Sequence, residues 1–121
     1  MSDQTARESL PADAHAEAAA AFAERARSQY DADIAELYVF GSTIRGDTHG
    51  RASDVDVLII LEDDANRDHV ADSLRDIALD ATIEYGPAVE LHIFSETTFE
   101  RYKREGHPFI YNAITEGRSY G

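Results

Sequence analysis

The chain has 121 residues, no cysteine, and 24 Asp and Glu against 11 Lys and Arg, a formal net charge of −13. That length predicts one domain, residues 1–121, around one modest core, and the lack of cysteine excludes disulfides and thiolate metal sites. So acidic a surface repels phosphate backbones and anionic lipid, which argues against long nucleic acid as a partner but not against a nucleotide, whose charge bound cations offset.

No apolar run approaches the ~20 residues that span a bilayer. The first residues, MSDQTARESLPADAHAE, contain no apolar segment of the secretory type. A cytoplasmic protein without membrane contact is the expectation. Lys103 is the one lysine, while Arg, Asp, Glu and Ala are plentiful. That composition resembles halophilic proteins, whose acidic surfaces suit high salt.

In chain order, residues 1–12 are polar and expected to be flexible. Asp13 to about Ser28 predicts an Ala- and Glu-rich helix with Asp13 as its N-cap, and with a weak apolar face of Ala and Phe22. Asp31–Glu36 leads into a first strand, Leu37–Phe40, which stops at Gly41. A short helix is expected from Ser42 to about Arg45, and a polar loop over Gly46–Ser53. Asp54–Leu61 predicts a second strand. Its front half alternates, with Asp54 and Asp56 on one face and Val55 and Val57 on the other. Its back half, Leu58-Ile59-Ile60-Leu61, is apolar on both faces, as a central strand covered by helices requires.

Arg67 to about Thr82 predicts a helix buried along Val70, Leu74, Ile77, Ala78 and Ala81. Gly86-Pro87 breaks the chain. Ala88–Phe94 predicts a third strand with Glu90, His92 and Phe94 on one face. Thr97-Thr98-Phe99-Glu100 fits a capping box opening a helix to about Arg104, ended by Gly106. Pro108 suits the first turn of a last helix through Glu116, before Gly117.

The chemistry concentrates between Val39 and Leu61. Carboxylates at i and i+2 of a strand point the same way, with Cα atoms roughly 6.5–7 Å apart. From there Asp54 and Asp56 can converge on a pair of divalent ions ~3.5–4 Å apart, the arrangement that supports phosphoryl and nucleotidyl transfer. Oxygen ligands suit Mg²⁺. Glu90 is the expected third acid, placed mid-strand on an apolar segment where an unpaired carboxylate is costly; the same residue would also fit an ion pair or an exposed strand face. Gly41 and Ser42 suit close approach of a triphosphate. Arg45 is placed to stabilise its phosphates, and Ser53 to contact a phosphate or water. His92 reads as a packing residue rather than a ligand, and His49 as an exposed loop residue.

Phe40-Gly41-Ser42, an eleven-residue loop, then Asp54-Val55-Asp56-Val57 resembles the signature of the DNA polymerase β-like nucleotidyltransferases. Within that superfamily the chain looks most like the minimal nucleotidyltransferases of prokaryotes. The resemblance implies an α+β fold, a short mixed sheet flanked by helices. It implies metal ligation by Asp54 and Asp56, a third carboxylate at Glu90, and phosphate contacts at Gly41 and Ser42. It further implies ATP as substrate, two Mg²⁺ ions, and a HEPN-domain toxin as partner, neutralised by AMP transfer to a tyrosine or by binding alone. A homo- or hetero-oligomer stays open. Transfer to a small molecule such as an aminoglycoside is the weaker expectation, because no second domain is left to build an acceptor pocket. Phe109, Ile110, Tyr111 and Ile114 read either as packing for the last helix or as a partner surface.

Overall fold

The computed structural model describes residues 11–40 and 55–119. Helix α1 spans Pro11–Tyr30, strand β1 Ile34–Phe40, strand β2 Val55–Leu61 and helix α2 Arg67–Tyr85. Strand β3 follows at Val89–Ser95, then helices α3, Glu96–Arg104, and α4, Pro108–Glu116, and a short strand β4, Arg118–Ser119. The strands form one mixed sheet in the order β3-β2-β1-β4. β1 is antiparallel to β2, and β2 is parallel to β3. A parallel pair needs a long crossover, which α2 supplies.

The alternation in β2 decides the layers. Val55, Val57, Ile59 and Leu61 enter a core with Phe22, Ala23 and Ala26 of α1 and Val70, Leu74 and Ala78 of α2. Leu58 and Ile60 enter a second core with Phe99 of α3 and Ile110 and Ala113 of α4. Val57 to Leu61 are each at most 1% exposed, so β2 is covered on both faces as its back half predicts. Burial on this scale stabilises by ~1.5–3 kcal/mol for each large aliphatic side chain. The weak apolar face of α1 is accommodated by close approach: its buried side chains are mostly alanine.

Several boundaries differ from those expected. α1 already includes Pro11 and Ala12, so Asp13 is inside the helix rather than its cap; residues 1–10 of the stretch expected to be flexible lie outside the described residues. β1 begins at Ile34, ahead of Leu37, and accommodates Glu36 through a register irregularity between Ile34 and Glu36. α2 runs beyond Thr82 to Tyr85 and closes at Gly86, whose φ of 109° is the left-handed region that glycine accepts. Thr82 binds backward and forward from this last turn. Its hydroxyl donates to Ala78 O and accepts from Val89 N, fastening α2 to the start of β3.

The capping box at Thr97 is not the one used. Ser95, the last residue of β3, caps α3 and accepts from Thr98 N. Thr97 lies inside the helix, where its amide and hydroxyl both donate to Asp63. These bonds pin the turn after β2 to the start of α3, and they hold the Asp63 carboxyl below the usual carboxylate range. In α4, Pro108 occupies the first turn as expected, and His107 caps it. Ile110 is fully buried, Phe109 and Ile114 pack partly on the second core, and Tyr111 is 64% exposed. Of Phe109, Ile110, Tyr111 and Ile114, packing therefore accounts for all but Tyr111.

Candidate active site

Three strands bring one row of side chains together. Phe40, at the end of β1, is the register partner of Asp56 on β2. Asp56 is in turn the register partner of Glu90 on β3. Just ahead of Glu90, Val55 N donates to Ala88 O across the strand pair, and Val89 N donates to Thr82 Oγ1 of α2. Because side chains alternate along a strand, Asp56 shares its face with Leu58 and Ile60, and Glu90 shares its face with His92 and Phe94. The two carboxylates are thus neighbours on the α3/α4 side of the sheet.

His92 completes the group. One ligand atom from each of Asp56, Glu90 and His92 lies within 4.8 Å of the others. Its Nε2 is 3.4 Å from Asp56 Oδ1, and both side chains are between a quarter and a third exposed. The imidazole packs beside two aromatic rings. Phe109 lies 4.9 Å away between centroids and Phe40 6.0 Å away, and those two phenyl rings contact each other at 5.5 Å. His92 therefore does pack, as its sequence reading has it, but it also faces the carboxylates. The signal for the second role was present in the sequence. Glu90 and His92 stand at i and i+2, the spacing that made Asp54 and Asp56 a candidate pair.

Glu90 is on the third strand as expected, but its environment differs. It is the second residue of an edge strand and is exposed. The cost of burying an acid is therefore not what marks it; its alignment with Asp56 is. Asp54, Gly41, Ser42, Arg45 and Ser53, the expected short helix from Ser42 and the loop to Ser53 all lie outside the described residues. Phe40 and Val55, the residues on either side of that segment, both adjoin the Asp56 row.

Two carboxylates and one imidazole with ligand atoms within 4.8 Å of one another form a donor set that suits a divalent cation. Carboxylates suit Mg²⁺ and Mn²⁺, and imidazole adds affinity for the later first-row ions. Without a cation, two acids in direct register repel one another. A groove of about 550 Å³ lined by Arg67, Arg75, Leu91 and Ile93 lies elsewhere, on the α2 side of β3, and does not contain these acids.

The family model for the nucleotidyltransferase domain matches residues 20–120. The chain belongs to the nucleotidyltransferase domain family. It is similar to "Putative protein adenylyltransferase MJ0604" of Methanocaldococcus jannaschii, with 32% identity over 97 residues, 80% of this chain and 88% of that protein. Among solved structures it resembles a putative nucleotidyltransferase from Sulfolobus solfataricus, at 19% identity and a TM-score of 0.45 over 76% of this chain and 80% of the other. A second putative nucleotidyltransferase aligns at 22% identity and a TM-score of 0.38, over 68% of this chain and 84% of the other. The chain is accordingly a transferase of the nucleotidyl class, a class that uses a nucleoside triphosphate and a divalent metal ion. Among the described residues no helix is long and apolar enough to cross a membrane.

Proposed function

We propose that this nucleotidyltransferase moves AMP from ATP to a hydroxyl of a protein partner, a tyrosine of a HEPN-domain toxin, and so acts as its antitoxin. The observation that carries the reading is the in-register pair Asp56 and Glu90 in a chain similar to a protein named as an adenylyltransferase acting on protein. The surface supports it as well, since a net charge of −13 favours a basic partner over a nucleic acid.

In this reading Asp54, Asp56 and Glu90 hold Mg²⁺, with two ions the expected number. A bound divalent ion supplies charge stabilisation at the phosphates and lowers the barrier to losing pyrophosphate. The acceptor hydroxyl oxygen bonds to the α-phosphorus, the bond from that phosphorus to the bridging α–β oxygen breaks, and pyrophosphate departs. Glu90, exposed at the rim, is placed to take the proton that the hydroxyl loses. Gly41 and Ser42 hold the triphosphate by backbone and hydroxyl, Arg45 takes the leaving pyrophosphate, and Ser53 contacts a phosphate or water. Residues 1–121 act as a single minimal domain.

The test is incubation with α-labelled ATP, Mg²⁺ and a HEPN-domain partner in high salt, wild type beside Asp56→Asn. Label on the partner with wild type alone is the expected result. Equal neutralisation of the partner by both proteins, with no label, would replace transfer by masking.

A further inference from the structure

The Nε2 of His92 is 3.4 Å from Asp56 Oδ1. That is a long contact for a hydrogen bond or ion pair, and two donors at this separation can also turn to one cation between them, since ligand atoms ~2.1 Å from one octahedral ion lie ~3 Å apart. The Glu90 carboxylate falls within the same 4.8 Å group. The imidazole reaches this position from the strand that carries Glu90 and is oriented by rings on two other elements, Phe40 on β1 and Phe109 on α4. A histidine with a packing role alone has no need to present a ring nitrogen to two acids.

We infer that His92 is a direct nitrogen ligand beside Asp56 and Glu90, a mixed donor set that raises the affinity of this site for a first-row ion such as Mn²⁺ relative to Mg²⁺. The inference rests on the reading of Asp56 and Glu90 as metal ligands and adds a donor of another kind. Carboxylate and water suit both Mg²⁺ and Mn²⁺, whereas imidazole nitrogen discriminates against the harder Mg²⁺. The aromatic contacts fix the ring plane, as outer contacts do for ligating histidines.

The experiment is pulsed electron paramagnetic resonance on the full chain with Mn²⁺ alone as the probe, in high NaCl to displace ions held diffusely by the acidic surface. Wild type, His92→Phe, His92→Gln and Asp56→Asn are compared, and Mn²⁺ and Mg²⁺ affinities are measured by calorimetry on the same samples. The expected result is a nitrogen hyperfine coupling in wild type that is lost in both His92 variants. Mn²⁺ affinity should fall about tenfold in those variants, with Mg²⁺ affinity held within about twofold. His92→Phe keeps an aromatic ring against Phe40 and Phe109, so its fold is expected to survive. The wild-type spectrum is decisive even without the variants. Mn²⁺ binding that depends on Asp56 but shows no nitrogen coupling would overturn the inference and leave the nucleotidyl-transfer reading standing. Nitrogen coupling that persists in the His92 variants would assign it to another histidine and overturn the inference. Binding unaffected by Asp56→Asn would remove the metal site itself, and both readings with it.

Discussion

Phe109 of α4 lies against the imidazole of His92, with ring centroids 4.9 Å apart and planes inclined at 55°. The next residue, Ile110, is fully buried in the core beneath the sheet. One turn of the last helix thus anchors itself in the core and braces a side chain beside Asp56 and Glu90.

Replacing Phe109 by Ala removes its contacts with His92 and with Phe40. Because the side chain is only partly buried, the loss of stability is expected at about 1–2 kcal/mol, below the ~3–5 kcal/mol of a fully buried Phe→Ala change. Divalent-ion affinity should fall several-fold, since the ring is no longer held in one orientation. Phe109→Leu should recover most of the stability and less of the affinity. Thermal unfolding and Mn²⁺ titration on the same preparations check both parts. Unchanged affinity in a destabilised protein would confine α4 to packing.

Tyr38 donates its hydroxyl to the Glu36 carboxylate. Burial first, and then this bond, push the Tyr38 pKa up to about 12. The folded protein therefore holds the phenolic proton more tightly than the unfolded chain, where tyrosine titrates near ~10. The resulting stability is fully present below pH ~10 and is lost as pH rises through about 12. Tyr38→Phe should cost about 1 kcal/mol at neutral pH and should flatten the decline of stability above pH ~10 relative to wild type. Denaturant unfolding of both proteins from pH 7 to about 11 measures the difference.

Gly117 joins α4 to β4. Its φ of −80° is open to any residue, so conformational freedom is not the reason for glycine here. Contact is the reason: a Cβ at this position would stand 2.4 Å from Ala113 O and 3.2 Å from Val39 O, both backbone atoms. Gly117→Ala is expected to destabilise by about 1–3 kcal/mol, as overpacking does. It should act by pushing β4 away from β1. A melting temperature equal to wild type would show that the end of α4 yields without cost.

The sequence was most legible where one physical demand set the residue pattern. Asp-Val-Asp-Val followed by four apolar residues can only be a strand that leaves the solvent partway along, and β2 does so. The capping box was misleading for a local reason. Thr97 and Glu100 have the right spacing, but β3 runs into α3 with no linker, so the last strand residue, Ser95, serves as the cap. Thr97 is then engaged by Asp63, a residue far away in sequence. The environment of Glu90 could not be read from its own segment, because whether a strand is central or at an edge depends on sheet order. His92 was legible as a residue on the Glu90 face. It was not legible as a neighbour of Asp56, because that requires the β2–β3 register.

The division of β2 between two cores also bears on how such a protein can change over generations. Alternate codons of this strand answer to different demands: those for Val55, Val57 and Ile59 to the fit of α1 and α2, the one for Asp56 to its alignment with Glu90 and His92. The α1/α2 layer can therefore drift, trading one aliphatic residue for another, while the opposite face keeps its acids aligned. Descendants with little overall identity could retain the same row of acids while one layer is altered without rebuilding the other.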